Sequence, residues 1–280
     1  MPAPLTAEGG RIADALAMMP VRSLGALDLS FDRSGAVTRN HQSGCMRMRM
    51  PRGDDPTAVL INTGGGLAEG DRIVQRLEWQ EGAAVTVTTQ ACEKVYRAMH
   101  HGAEIETELA IGAHASAEWL PQETILFDAA RLARSTRVSL DRDARFLGLE
   151  AVVLGRTAME EQVLAGLLLD RWRIVREGRL IYADVLRLDG PVSALMARAA
   201  LGGGARAMAV IILAVAAAGA LLDAVRQALG TARGLAAASS WSDLLVVRLL
   251  AGDGATLRAD IGLALAALRP GRTLPRVWRC

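Results

Sequence analysis

The sequence contains very little lysine, few aromatic residues and little net charge. Lys94 is the only lysine, so arginine supplies 31 of the 32 basic residues. Aromatic residues make up 4% of the chain, and its formal net charge is +2. A base-stacking platform and a general electrostatic attraction to nucleic acid are therefore not expected. Because 51% of the residues are hydrophobic and 22% are charged, the chain is nevertheless globular in composition.

Cysteine and long hydrophobic runs are also scarce. Cys45, Cys92 and Cys280 are odd in number and form no CxxC pair, which argues against a disulfide framework and favours a reducing compartment. The longest uncharged run covers only residues 207–222, whereas a membrane-spanning helix needs about 20 apolar residues. The first residues lack the order of a signal peptide. We therefore expect a cytoplasmic protein without a membrane segment.

A regular alternation of apolar and polar residues runs through most of the first two thirds of the chain. In residues 105–111, Ile105, Thr107, Leu109 and Ile111 share one face of an extended segment, and the glutamates between them share the other. Short runs of this kind recur between glycine turns, which predicts sheets with one exposed face. No long helical segment separates them, which argues against alternating βαβ units. The pattern predicts a mainly β protein with one continuous domain, residues 1–280.

The last part of the chain adds buried strands and helices. Residues 146–154 and 208–215 are continuous apolar runs, typical of strands that are buried on both faces. Residues 220–229 and 255–268 have helical periodicity, and Asp253 is a candidate N-cap for the second segment. We therefore predict a small α-helical part near the C-terminus.

No motif indicates catalysis. The triplet Gly64–Gly66 could bring backbone amides to a phosphate, but it belongs to neither a Walker loop nor a GxGxxG motif, and a turn with positive φ is favoured. The adjacent His100 and His101 point to opposite faces of an extended chain, so a closed metal site is not expected. No nucleophile lies beside a candidate base.

Two glutamates lie in apolar surroundings. Glu150 falls within FLGLEAVVL, and Glu118 adjoins Trp119. A buried carboxylate needs a cationic partner, a ligand or a wet cavity, because burial of an isolated charge is costly. An ion pair with one of the many arginines and an internal polar path are both consistent with this placement.

Several segments together resemble the UreD family of urease accessory proteins. They are NTGGGLAEGDR (62–72), TTQACEKVYRA (88–98), WLPQETILFDAARLAR (119–134), LGRTAMEE (154–161) and LPRVW (274–278). The sequence departs from the family pattern at Glu69 and Glu160, where the family usually has glycine. Each departure adds a side chain and a charge where a tight backbone is expected.

The resemblance implies stacked β-sheets of β-helix-like topology and a non-enzymatic role in urease maturation. It implies that the chain acts with a UreF-like protein and a UreG-like GTPase on apo-urease, whose active-site lysine is carbamylated. Nickel would pass through an internal tunnel and would not be held as a tight cofactor. Candidate nickel-path residues are Glu118, Glu150 and Glu161; the alternative for Glu161 is an ion pair with Arg156.

The matched motifs also give candidates for fold and partner assembly. These residues are Gly64, Gly65, Gly66, Asp71, Gln90, Lys94, Tyr96 and Arg97. A bicarbonate site beside Lys94 is a second interpretation. Two other functions remain open: an enzyme or binding protein that takes a phosphorylated ligand at the Gly64–Gly66 turn, and a structural adaptor that never contacts nickel.

Overall fold

The computed structural model describes residues 22–53, 55–156, 159 and 161–279. Its strands are β1 (Leu24–Phe31), β2 (Val37–Gly44), β3 (Met46–Arg49), β4 (Thr57–Asn62), β5 (Arg72–Trp79), β6 (Ala84–Thr89), β7 (Glu93–Val95), β8 (Ala103–Ile111), β9 (Ser116–Leu120), β10 (Thr124–Leu126), β11 (Arg131–Leu140), β12 (Arg145–Leu154), β13 (Gly166–Arg176), β14 (Arg179–Gly190), β15 (Ala207–Ala214), β16 (Leu235–Trp241) and β17 (Leu244–Ala251). Its helices are α1 (Val192–Ala197), α2 (Leu222–Leu229) and α3 (Gly254–Leu268). Short 3₁₀ turns cover Ala218–Leu221 and Arg276–Arg279.

The strands form two stacked sheets. The seven-stranded sheet has the order β14-β13-β11-β8-β5-β1-β2. The ten-stranded sheet has the order β16-β17-β15-β12-β9-β6-β4-β3, with β10 on β12 and β7 on β10. The central pairs of both sheets are parallel, because the chain alternates between the sheets and returns to each one in the same direction. This β-helix-like coil confirms the predicted mainly β fold.

The two kinds of connection in the coil differ in length. From the seven-stranded to the ten-stranded sheet the chain needs only residues 80–83, 112–115 and 141–144. The return connections are longer and cover residues 63–71, 90–102, 121–130 and 155–165. Parallel pairing of β7 with β10 and the bridges Leu67–Val95 and Arg97–Ala130 stack these returns beside one another. We call this side of the molecule the motif edge, since the glycine-rich, TTQACEKVYR and PQETILFDAA segments and the described residues of the fourth return lie on it.

Two hydrophobic cores lie on opposite faces of the ten-stranded sheet. The alternation along β12 shows both: Phe146, Val152 and Leu154 pack between the sheets, whereas Leu147, Leu149, Ala151 and Val153 pack toward α2 and α3. A strand that is buried on both faces needs a continuous apolar run, as predicted for residues 146–154.

The helices agree closely with the predicted ones. The carboxylate of Asp253 accepts a hydrogen bond from the Thr256 amide at 2.8 Å, so Asp253 is the predicted N-cap of α3. The first predicted helix, residues 220–229, begins at Leu222 and not at Ala220, because a 3₁₀ turn precedes it. Among the described residues, no helix combines the length and the apolar character needed to span a membrane.

Candidate functional site

The glycine-rich return is a tight turn in which most backbone amides donate within the protein. The Gly64 amide donates to Asn62 Oδ1 at 2.9 Å, and the Leu67 amide donates to the Lys94 carbonyl at 2.7 Å. Gly65 and Gly66 have φ angles of 74° and 151°, as expected for a turn that needs glycine. A Cβ on Gly66 would lie 2.5 Å from Tyr96 Cε2 and 2.9 Å from the Lys94 carbonyl oxygen. The turn therefore serves the close approach of the next return connection.

Tyr96 joins three returns of the motif edge. Its hydroxyl donates to the Gly65 carbonyl at 3.1 Å, and its ring meets the Phe127 ring edge-on with centroids 5.2 Å apart. The Arg156 guanidinium lies 4.5 Å above the centre of the Phe127 ring. Edge-on aromatic pairs and cation–π contacts each contribute about 0.5–1.5 kcal/mol at exposed sites. Tyr96 thus links these returns, and its predicted importance for fold and partner assembly stays a prediction.

The remaining predicted motif residues divide into buried and exposed positions. Asp71 is buried, and its carboxylate accepts from the Ser23 and Ala68 amides at 2.6 and 2.8 Å. Gln90 is exposed and uses its backbone carbonyl to accept from Gln122 Nε2 at 2.8 Å. Lys94 and Arg97 are also exposed. Asp71 is therefore structural, whereas the two basic side chains face solvent.

Glu118 lies on the face of the ten-stranded sheet that points away from the seven-stranded sheet, and arginines surround it there. It is 1% exposed and contacts Arg269 at 2.9 Å and Arg272 at 2.8 Å. Thr86 Oγ1 donates to it at 2.7 Å, and Arg145 lies 3.5 Å away. Burial pushes its pKa up, but the hydrogen bond and charge of Arg269, with help from Thr86 and Arg272, hold the pKa below its usual value. Glu118 thereby ties β9 to the segment that follows α3.

Glu161 occupies a turn on the motif edge. Its carboxylate accepts from Arg156 Nε at 2.8 Å and from the Arg156 amide at 3.0 Å. The hydrogen bond from the Arg156 side chain lowers the pKa of Glu161. The Glu161 carboxylate also accepts a hydrogen bond from the Asp128 amide at 3.3 Å. The arrangement matches the alternative in which Glu161 and Arg156 hold a turn.

Glu150 belongs to a buried triad between the two sheets. Arg134 on β11 contacts Glu150 on β12 at 2.6 Å and Asp170 on β13 at 2.6 Å, and each of the three side chains is at most 6% exposed. Arg134 also donates to Thr124 Oγ1 at 2.9 Å. Burial raises the pKa of Glu150 to about 8 despite the charge of Arg134. One guanidinium therefore serves two carboxylates.

The two carboxylates of the triad face a cavity of about 310 Å³. Its walls come from both sheets and include Trp172, Asp184, Met208 and Arg248. Within the described part of the chain, Asp170 Oδ1 and Trp172 Nε1 are buried and have no hydrogen-bond partner. Buried polar atoms of this kind are usually satisfied by water or an ion. The cavity is therefore apolar in most of its lining but polar at one wall.

An ion pair lies on the solvent side of this cavity. Arg248 Nη2 on β17 contacts Asp184 Oδ2 on β14 at 2.9 Å, with 57% and 37% of the two side chains exposed. Tyr182 donates its hydroxyl hydrogen to the same carboxylate at 2.8 Å. Asp184 thus stands between solvent and the buried Glu150–Arg134–Asp170 triad.

The chain was then compared with known proteins. A family model described as UreD urease accessory protein matches residues 23–279. The chain is 46% identical to the urease accessory protein UreD of Rhizobium leguminosarum bv. viciae over 250 residues, which cover 89% of this chain and 91% of that protein. The chain belongs to the UreD family of urease accessory proteins. Relatives of the same name from Rhizobium etli and Xanthobacter autotrophicus are each 46% identical over 94% and 92% of the chain, and over 98% and 90% of their own lengths.

One departure from the pattern of the UreD family has a clear structural role. The carboxylate of Glu69 accepts from the backbone amides of Met99, His100 and His101 at 2.8, 2.9 and 2.8 Å. The hydrogen bonds from the His101 and Met99 amides lower the pKa of Glu69 to about 2. Glu69 therefore fastens the second return to the first. The other departure, Glu160, lies outside the described residues.

The cysteine nearest the motif edge is not an activated thiol. Burial raises the pKa of Cys92 to about 11, with the neighbouring Glu123 acting in the same direction. Glu123 is itself paired with Arg258 of α3 at 2.6 Å. Across the described ranges, no group of three or more histidine, cysteine or acidic side chains is placed to hold a metal ion.

The structure separates the three predicted nickel-path glutamates and adds residues that the motifs did not indicate. Glu118, Glu150 and Glu161 each have their own arginine partners and do not meet. The added residues are Arg134, Asp170, Asp184 and Arg248. A signal for two of them was present in the sequence, since Arg134 and Asp170 fall on the inward positions of alternating strands.

Proposed function

We propose that this chain is a non-catalytic subunit of the urease maturation machinery. It binds apo-urease together with a UreF-like protein and, through that complex, a UreG-like GTPase. It helps nickel reach the active site, where a lysine is carbamylated. Family membership supports the role in urease maturation, and the interior of the protein supports a part in nickel passage.

The observation that carries the proposal is the cavity between the sheets. Glu150 and Asp170 line its inner wall and Asp184 lines it nearer to solvent. Carboxylates on successive positions of one cavity offer oxygen ligands to a hydrated divalent cation. The unpartnered Asp170 Oδ1 and Trp172 Nε1 favour a wet inner wall.

The triad is suited to weak and transient binding. Nickel lies high in the affinity order of divalent ions, so a strong site would retain the metal. Arg134 compensates much of the negative charge of Glu150 and Asp170 at 2.6 Å, which lowers the attraction for a second cation. A carboxylate that is shared with an arginine can meet a passing ion and release it.

Of the three predicted path residues, Glu150 has the strongest support. Glu118 lies among Arg145, Arg269 and Arg272, whose positive charges oppose the approach of a cation. Glu161 is fully engaged with Arg156 and the Asp128 amide. Their participation in nickel passage stays a prediction, and the proposal rests on Glu150 and its cavity.

The phosphate-binding alternative has less support. A phosphate cradle requires backbone amides that are free to donate. The Gly64 and Leu67 amides are used inside the protein, and Tyr96 fills the space beside Gly66. This favours the structural turn that the sequence predicted.

The proposal is tested by nickel loading of urease with Glu150→Gln and Asp170→Asn variants. Asp260→Asn is a matched control, because Asp260 is an equally buried carboxylate that instead accepts from the Arg233 and Gly234 amides. We expect the cavity variants to co-purify with their partners but to lower nickel per urease site, at Tm values no lower than that of the control. Unchanged nickel loading in both cavity variants would remove the cavity from the path and leave the adaptor function.

A further inference from the structure

The motif edge carries apolar side chains that nothing covers. Tyr96, Met99 and Leu164 are 37%, 72% and 64% exposed. The backbone bonds Ala98 N–Ala129 O and Ala129 N–Ala165 O place the second, third and fourth returns side by side at this point. Exposed apolar side chains that cluster in this way mark interaction surfaces. We call this surface the basic apolar patch and define it as Lys94, Tyr96, Arg97, Met99, Phe127 and Leu164.

The described carboxylates around the patch all have hydrogen-bond or ion-pair partners within the protein. Every acidic side chain described in the four returns is held by amides or a cationic partner: Glu69, Asp71 and Asp128 by backbone amides, Glu93 by Asn62, Glu123 by Arg258 and Glu161 by Arg156. These carboxylates therefore hold the returns together through hydrogen bonds and ion pairs within the protein.

The basic side chains of the patch are not neutralised in the same way. Lys94 and Arg97 are exposed, and neither has an ion-pair partner within the described residues. Lys94 and Tyr96 flank the buried Val95, so both side chains lie on the exposed side of this return. The patch thus combines uncompensated positive charge with exposed apolar surface.

The centre of the patch is already fixed before any partner binds. Tyr96 is held by the Gly65 carbonyl and by the edge of the Phe127 ring, and Phe127 is held from its other side by Arg156. A side chain that is fixed in advance loses little conformational entropy on binding. Tyrosine and arginine are also the residue types that most often dominate binding energy at protein interfaces.

We propose that the basic apolar patch binds an acidic segment with apolar side chains on a protein partner of this chain. The inference rests on the proposed function, since it names the surface through which the motif edge would take part in assembly and the chemistry of the partner that would bind there. A second copy of the same chain is disfavoured as the occupant, because two such patches would bring Lys94 and Arg97 against like charges.

The test is charge reversal with the full-length chain, using the UreF-like protein and apo-urease from the same source as separate probes. Lys94→Glu/Arg97→Glu should weaken binding of one probe at least about tenfold at low salt, with a smaller effect at high salt. Arg171→Glu/Arg173→Glu is the matched control, because these arginines are equally exposed on a strand of the other sheet and have no ion pair in the described residues. The control should bind like the wild type.

A second pair of variants tests the apolar half. Met99→Ser and Leu164→Ser remove exposed side chains, so Tm should stay unchanged while binding of the same probe weakens about threefold to tenfold. Any of three results would overturn the patch. The Lys94→Glu/Arg97→Glu variant could bind both probes within a factor of two of the wild type, or the control could lose as much binding as this variant. The third such result is that the wild type binds neither probe. If the patch variants bind normally while Glu150→Gln still lowers nickel loading, the proposed function stands without the patch. If the wild-type chain neither binds the probes nor changes nickel loading, both proposals fail.

Discussion

Replacement of Glu150 by glutamine tests how the buried charge of Arg134 is balanced. If Glu150 were its only partner, the replacement would leave a buried arginine uncompensated, which costs about 3–5 kcal/mol. Asp170, however, contacts the same guanidinium at 2.6 Å and remains in the variant. The structure therefore predicts a much smaller loss.

The magnitude follows from the protonation of the triad. Burial raises the pKa of Glu150 to about 8, so in the metal-free protein this carboxyl readily takes up a proton near neutral pH, and the amide of glutamine is a close structural replacement. A divalent cation in the cavity would favour the ionised carboxylate, which glutamine cannot supply. We expect Glu150→Gln to lower the free energy of unfolding by about 1 kcal/mol or less. Arg134→Met should cost about 3–5 kcal/mol, because it leaves Glu150 and Asp170 together in a buried site.

The assay is urea unfolding of the wild type and the two variants across a pH series. A carboxyl group whose pKa is raised by folding stabilises the protein below its unfolded value of 4.5, and this contribution is lost as the pH rises through about 8. Glu150→Gln lacks this dependence, so its stability relative to the wild type should improve over that range. A loss as large as that of Arg134→Met, or a relative stability that falls with rising pH, would refute this account of the triad.

Three further predictions concern the motif edge. Gly66→Ala should lower the free energy of unfolding by about 2–4 kcal/mol in urea titration, because its Cβ would clash with Tyr96 and the Lys94 carbonyl. Gly65 also has a positive φ but has open space around it, so Gly65→Ala should lower the free energy of unfolding by only about 1 kcal/mol. Burial raises the pKa of Glu93 from 4.5 to about 7, so this carboxyl should contribute about 3 kcal/mol of stability that the wild type loses across that pH range; Glu93→Gln lacks this contribution, and its stability should fall by about 3 kcal/mol less than that of the wild type. Glu69→Gly should speed hydrogen exchange at the Met99, His100 and His101 amides, which it holds, with little effect on exchange in β12.

The alternation of side chains was sufficient to predict the strands and the mainly β class. Ile105, Leu109 and Ile111 are buried as expected, because the core between the sheets selects every second residue of β8. The coil itself is not evident from alternation, since each sheet is assembled from strands far apart in sequence. Its topology came from the family resemblance and is confirmed by the parallel pairing.

The partner of Glu150 could not be read from the apolar run around it. Arg134 lies sixteen positions earlier, and only the register of β11 with β13 brings it opposite Asp170. A search of the sequence for charged residues at inward-facing strand positions finds Glu150, Arg134 and Asp170. It does not show that the strands carrying them face one another across the two sheets. Side-chain pairing across a coil depends on how many residues each turn of the coil contains, and that number varies with the length of each return.

The hydrogen bonds of the returns also indicate how the polar groups of the matched motifs are used. A return that is fixed to its neighbours by amide–carboxylate bonds, as Glu69 and Asp128 fix theirs, uses its polar groups for stacking. The exposed side chains of the patch are basic and apolar, whereas Glu150 lines the cavity between the sheets. A surface for partners and a polar interior therefore arise from the same coil without either requiring the other. Variants of Lys94 and of Glu150 should accordingly affect assembly and nickel loading independently, with additive effects in the combined variant.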